Sequence, residues 1–507
     1  HRHTPVVFHQ AKADLQTQYP GDLLDLVGLP IDDTIVMAYL AGEAELGLKP
    51  LTEKLLGRSP TPYPGPLDNV SLAMASRYAC ADTRNTYDLY QSLRQSLRER
   101  NQLPPYEDVE RTLVPVIGAM EQTGSPIDLD EVRRLQREYA YTEEGIRSFA
   151  WQRWRKDISN DKQTRLLVTE LLGYDPGTLD QRVLSLVQAP WMDVILGYRK
   201  LRTVRRNYLD KYLKNEDKGG VSNVLRASFN QAGSSDTLTG RSFKRAPRTG
   251  RLSSARPNLM QVPRDVRSMF VAPEGCVYWA LDFSQLELRI AAGLSEDPAM
   301  LAEINKPGGD IHRLMQERVQ QELGIWIERP VAKNANFNLR YGGSADMMVT
   351  ILAKDRVFLD PAIAKQIVEI DKELYSGYWE WYDRTLRLAR VRGYSSTLYG
   401  RRVYYEDLTS SDNYLRGHAE RAAVNLAVQG SASDIVKKAM VQSVPLLKHY
   451  GAHISIQVHD ELAGWAPERN AEKFLDGMKT IMESIEVPHV SLAVEGGYGK
   501  NWDEAKH

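Results

Sequence analysis

The chain has 507 residues, 42% of them hydrophobic and 26% charged, with a formal net charge of −1. No apolar run approaches the roughly 18 residues of a membrane span, and two cysteines, Cys80 and Cys276, exclude a disulfide framework. At about 150 residues per domain the length predicts three or four domains in a globular protein. A reducing, cytoplasmic setting without membrane contact is expected. The chain opens on His1 rather than Met, so an N-terminal piece is expected to be missing.

Taken in order, two Pro-rich breaks come first, "RSPTPYPGPL" at 58–67 and "RNQLPPYED" at 100–108, and the second reads as a domain boundary. Residues 109–217 show helical periodicity, with Asp128 as a cap. Within them "LGYRKLRTVRRNYLDKYLK" (196–214) is a basic helix carrying Tyr198, Tyr208 and Tyr212. It reads either as a phosphate-backbone grip or as a solvated helix. Residues 218–265 are rich in Gly, Ser, Thr and Arg and read as loops and short strands. From Arg226 to Arg267 nine cations (Arg226, Arg241, Lys244, Arg245, Arg248, Arg251, Arg256, Arg264, Arg267) face only Asp236 and Asp265. A solvated basic loop and a polyanion-binding surface are both open readings.

"CVYWALDF" (276–283) is a β-prone run ending in a carboxylate. Helices are predicted over 296–390 and 419–450, the latter interrupted at Gly430. "HISIQVHDELAGWAP" (453–467) predicts two strands around a tight turn with His459, Asp460 and Glu461 at the bend.

Asp282 and Asp460 both leave apolar strands. Alone, each reads first as a salt-bridge partner, because an unpaired buried charge is costly. Together they would form a hard-oxygen site suited to Mg²⁺ and substrate phosphates, and two such ions could clamp a phosphoryl transfer. In "RPVAKNANFNLRYG" (329–342), Arg329, Lys333, Phe337 and Tyr341 recur every four residues. Each step of four advances about 400°, so all four share one helix face. Two cations followed by two aromatics suit a triphosphate followed by a sugar and base.

These segments resemble family A DNA polymerases, the bacterial DNA polymerase I family. "LDFSQLELRIAAGLS" (281–295), "RPVAKNANFNLRYG" and "QVHDEL" (457–462) are similar to that family's motifs A, B and C. "TGRLSSARPNLMQVP" (249–263), "GGDIHR" (308–313) and "AERAAVNLAVQG" (419–430) also fit, in the family's order. The resemblance covers roughly 108–507. It implies an α+β, multidomain right-hand fold, with a thumb over 109–230, a palm over 231–295 and 395–507, and fingers over 296–394.

Residue by residue, the resemblance makes Asp282 and Asp460 the metal-binding carboxylates, with Glu461 and Lys333 beside them in the chemistry. Arg329, Lys333 and His312 would contact the triphosphate, Phe337 the sugar, and Tyr341 the templating base. Gln285 would line the nucleotide site and Glu287 would crowd a ribose 2′-hydroxyl. Arg251, Asn258, Gln261, Arg421, Asn425, Gln429 and His459 would line primer and template. The implied cofactor is Mg²⁺, two ions, with Mn²⁺ able to substitute. The implied partners are primer–template DNA and dNTPs, acting on a monomer in replication or repair. Met260 stands where the family commonly has Gln. Residues 234–248 look longer and more basic than the bacterial segment, which points to a phage or otherwise divergent lineage.

Residues 1–108 resemble part of the family's 3′–5′ exonuclease domain through Asp14, Tyr78 and Asp82. Gln10 and Ala13 replace the usual Asn and aromatic, and the Asp-x-Glu motif is expected upstream of His1. A structural remnant is an equally open reading. Three rival functions are weighed. Glu287 leaves little room for a ribonucleotide and opposes an RNA polymerase. Retention of Asp282 and Asp460 opposes an inert DNA-binding scaffold. The incomplete exonuclease motifs oppose a nuclease.

Overall fold

A computed structural model describes residues 4–506, apart from 63, 67–68, 215, 218–219, 235–243 and 246. Most of the basic 234–248 segment, Arg241 included, therefore lies outside the described residues.

The centre is a four-stranded antiparallel sheet. Its strands are β1 (Cys276–Phe283), β2 (His453–Val458), β3 (Glu461–Pro467) and β4 (Val494–Gly499), in spatial order β2-β3-β1-β4. β1 is buried over Tyr278–Leu281, as its continuous apolar run predicts for a central strand covered on both faces. The register sets Asp282 opposite Glu461 on β3 and opposite Glu495 on β4. Asp460 lies in the turn between β2 and β3, where its carbonyl accepts the Phe283 N–H at 3.2 Å. Register across three strands and one tight turn thus brings four acidic residues to one end of the sheet.

Two helical arms rise from this sheet. The first contains the Leu129–Trp154 helix, capped by Asp128, whose side chain accepts from the Asp130 and Glu131 N–H groups. It returns along the Pro190–Val204 helix, which continues through a π-turn at Arg205–Leu209. A small core of its own includes Ile195 and Tyr198. Of the tyrosines on this basic helix, Tyr198 and Tyr212 turn to the core. Both rings are buried, at 3% and 1% exposure, so they are packing residues, and only Tyr208 is partly open.

The second arm contains the Ile311–Leu323, Arg329–Arg340, Ala345–Lys354 and Pro361–Leu374 helices. The arms touch at Arg356. Its guanidinium donates to the carbonyls of Ser185 (3.0 Å) and Val187 (2.8 Å) and pairs with Asp193 (2.5 Å).

Between arm and sheet runs a long helical stretch. The Asn413–Asn425 helix passes through a π-turn at Leu426–Gly430 into the Ser431–Gln442 helix. Gly430 therefore closes a wide turn rather than breaking the helix. A Cβ there would approach the Thr397 methyl to 2.5 Å.

The N-terminal residues share a core with Tyr106, Val114 and Ala232. A two-stranded parallel pairing of Val6–Phe8 with Ile31–Asp33 packs with the Leu72–Glu99 helix around this core. A buried ionic set lies beside it. Glu110 pairs with Lys437 at 2.6 Å and with Arg401, and Arg401 pairs with Asp434 at 2.7 Å. Two acids and two bases balance, which burial of charge requires. Among the described residues no helix is long and apolar enough to cross a membrane.

Candidate nucleotidyl-transfer site

The Arg329–Arg340 helix turns Val331, Ala332, Ala335 and Leu339 into the core. Its back is held by Arg340, which pairs with Asp371 and lies over the rings of Tyr375 (4.8 Å) and Tyr378 (4.3 Å). The opposite face is the predicted stripe: Arg329 and Lys333 are exposed, while Phe337 and Tyr341 are half-buried. Arg329 pairs with Asp310, which also caps the neighbouring helix, and Lys333 makes no ion pair among the described residues. Tyr341 sits at the helix end. Gly342 follows at φ +68, and a side chain there would meet the Tyr382 hydroxyl at 2.5 Å. Glycine is what lets this end lie against its neighbour.

His312 departs from expectation. It is 2% exposed, its ring centroid is 5.8 Å from that of Phe337, and Asn336 Nδ2 lies 3.2 Å from its Nδ1. Burial pushes its pKa down to about 4. It is a neutral ring packed beside Phe337.

At the sheet end, Asp282 is partly exposed and pairs with Lys506 at 3.2 Å. Burial raises its carboxyl, and Lys506 opposes that. Asp460 is pushed up to about 7, first by burial and then by the negative charge of Glu287. Asp282 also raises Asp460 electrostatically, and the sheet register seats the two residues on adjoining segments at one end. Asp282 thus makes the ion pair that a strand-end carboxylate calls for.

Glu461 is nearly buried and fully partnered. It accepts from Trp502 Nε1 (2.6 Å) and Arg267 (3.3 Å), and pairs with Lys506 (2.7 Å). Arg267, counted in sequence among the polyanion-binding cations, is 8% exposed and committed to this contact. It is thereby corrected to a structural cation.

Glu287, at the start of the Leu286–Ser295 helix, is 7% exposed and bonded to Arg251. Gly250, at φ +79, lets the chain turn immediately before Arg251. Gln285 and His459 both hold left-handed φ values, 51° and 52°, at the two turns bordering the carboxylates. Strained non-glycine turns collect where geometry is needed for function. Asn258 contacts Ser254 Oγ at 2.8 Å, and the Gln261 carbonyl accepts from Tyr208. Arg421, Asn425 and Gln429 are all half-open, and the Asn425 Oδ1 is buried without a hydrogen-bond partner.

Sequence reading missed Trp502, Lys506 and Arg267 as neighbours of the carboxylates. Their segments carry no periodic signal, and only the sheet register brings them in.

The donor set suits Mg²⁺. Among the described residues no group of three or more His, Cys, Asp or Glu side chains forms a complete cage. Two carboxylates at adjoining strand ends are what Mg²⁺ accepts when phosphates supply the remaining oxygens.

Comparison with known proteins agrees with this geometry. The model of DNA polymerase family A matches residues 152–504. DNA polymerase I of Rhizobium leguminosarum is 29% identical over 94% of this chain and 49% of its own length. The thermostable DNA polymerase I of Thermus filiformis is 34% identical over 82% of this chain and 50% of its own length. The POL domain of Pol1 from M. smegmatis, solved with DNA primer-template and dNTP, superposes with a TM-score of 0.82. It is 26% identical, over 100% of this chain and 88% of that one. The chain belongs to DNA polymerase family A and has its fold. It spans about half the length of the relatives it matches.

Proposed function

We propose that the protein extends the 3′ end of a DNA primer along a template with dNTPs, releasing pyrophosphate. The observation that carries this is the placing of Asp282 and Asp460 on adjoining segments at one sheet end, in a chain whose Arg329–Tyr341 face is built of cations and then aromatics. The first arm is the thumb (109–230), the second the fingers (296–394), and the sheet with its helices the palm (231–295 and 395–507). Residues 1–108 form a partial exonuclease-like body that supports them.

In this reading Asp282 and Asp460 hold Mg²⁺, two ions in all, with Mn²⁺ able to take their place. When bound, the ions supply charge neutralisation at the attacking and leaving oxygens. Lys333 and Arg329 hold and neutralise the triphosphate, and the Arg329–Asp310 pair opens or tilts to admit it. Phe337 and Tyr341 present apolar faces to sugar and base, and His312 supports Phe337 from below. Glu287 closes the space beside the sugar. Arg251, Asn258, Gln261, Arg421, Asn425, Gln429 and His459 contact primer and template. The primer 3′-hydroxyl attacks the α-phosphate. Positioning and fixed charge do most of the work, as in phosphoryl transfer generally.

The test is extension of a primed template with Mg²⁺ and dNTPs. Asp282→Ala and Asp460→Ala should each abolish extension and leave DNA binding largely intact, because DNA affinity comes mainly from cations elsewhere. Near-normal extension by either variant overturns the assignment.

A further inference from the structure

Four carboxylates crowd the end of the sheet: Asp282, Asp460, Glu461 and Glu287. Three cations are paired with them. Arg251 serves Glu287, Arg267 serves Glu461, and Lys506 reaches both Glu461 (2.7 Å) and Asp282 (3.2 Å). Lys506 is the sole ion-pair partner of Asp282 among the described residues. Its place is built, not incidental. Trp502 is fully buried, its N–H donates to the Phe270 carbonyl at 3.0 Å, and its indole donates to Glu461. The Arg267 guanidinium lies 4.0 Å over the same indole. A short helical turn from Glu504 then delivers Lys506 to the gap between the two acids, with its side chain only 18% exposed.

We propose that Lys506 is a resident counter-ion of this site, its ammonium competing with a divalent cation for the Asp282 carboxylate, so that metal loading and release of Lys506 from Asp282 are one exchange. This rests on the reading of Asp282 as a metal-binding carboxylate. The geometry gives the exchange a soft landing. When Lys506 leaves Asp282 it keeps Glu461, so its charge is not stranded. Glu461 in turn keeps Trp502 and Arg267, so removing Lys506 altogether leaves Glu461 partnered and returns the 41% exposed Asp282 side chain to solvent. The ammonium thus lowers the affinity of the site for an ion arriving alone. An ion arriving with a triphosphate brings further oxygen ligands and overcomes it. Lys506 is in this sense a positioning residue that favours loading of metal together with nucleotide.

The experiment measures Mn²⁺ binding to the whole protein without DNA or nucleotide, from the electron paramagnetic resonance signal of free Mn²⁺. Lys506→Ala and Lys506→Met should tighten binding by about fivefold or more, because each removes a unit charge in contact with the ligand. Lys506→Met keeps the aliphatic stem, and thermal melting confirms its fold. Lys506→Arg should stay within about twofold of the wild type, since the charge remains. Asp282→Asn should weaken binding strongly. Unchanged or weaker binding in Lys506→Ala and Lys506→Met, with Asp282→Asn still weakened, overturns the counter-ion proposal alone. Unaltered binding in Asp282→Asn overturns the metal reading as well.

Discussion

Arg251 donates a hydrogen bond to Glu287, joining in one ion pair the residue assigned to the primer terminus and the residue assigned to the sugar. Burial raises the Glu287 carboxyl and Arg251 opposes it. Its position is thus fixed by Arg251. Under the proposed function, a side chain held in this way would discriminate by its bulk and not by its mobility.

Glu287→Ala should therefore raise ribonucleotide incorporation, because it opens the space where a 2′-hydroxyl would clash. Glu287→Gln keeps nearly the same volume and should retain most of the discrimination. Single-nucleotide incorporation with paired dNTP and rNTP measures this. Equal selectivity in wild type and Glu287→Ala removes Glu287 from the role.

The buried set around Glu110 predicts an acid limb in stability. Burial alone would raise the Glu110 carboxyl, but Lys437 and Arg401 override it and hold it at about 2, below its ordinary 4.5. The folded state thus binds the proton less readily than the unfolded chain. The contribution is complete above pH 4.5 and is lost as pH falls toward 2. Glu110→Gln should cost about 3–5 kcal/mol near neutral pH, because it leaves a buried cation uncompensated. It should also flatten the acid limb. Thermal melts of both proteins from pH 7 to pH 3 test this, and overlapping curves refute it.

How much of this was legible in sequence divides by range. The Asp282 and Asp460 strand ends, the stripe from Arg329 to Tyr341 and the Asp128 cap are local patterns, with periods of 2 or 3.6 that survive folding. The neutrality of His312 was not legible, because burial beneath Phe337 is a tertiary fact. Nor was the recruitment of Arg267 and Lys506. A buried arginine and a solvated one look alike in a basic run until the Trp502 ring is placed against one of them. The burial of Tyr198 and Tyr212 was hidden for the same reason. Their spacing marks a helix face, but only packing says which face meets the core.

Arg356 ties the two arms across the cleft through two carbonyls and Asp193. Hydrogen bonds from a charged donor contribute about 1.5–3 kcal/mol, enough to bias the arms toward contact without locking them. Arg356→Ala should widen the distance distribution between a donor dye near Asp193 and an acceptor near Phe358. It should also speed dissociation from a primed circular template. Identical distance distributions show that the contact does not govern the arms.

The N-terminal body should give little nucleotide removal from a mismatched primer. A two-metal nuclease site needs several carboxylates around both ions. Asp14 lies on the Ala11–Gln18 helix and Asp82 on the Leu72–Glu99 helix, and among the described residues neither joins a set of three possible ligands. Burial raises the Asp14 carboxyl. The neighbouring Asp33 is committed to structure, accepting from the Gln10, Ala11 and Ile35 N–H groups. Tyr78 has the Lys49 ammonium 5.4 Å from its ring centroid. The assay is a 3′-labelled mismatched primer with Mg²⁺ and no dNTPs, comparing wild type with Asp82→Ala. Both should release label at the same slow rate. Rapid release by the wild type, abolished in Asp82→Ala, would establish a working nuclease centre in this body and overturn the reading of it as a support.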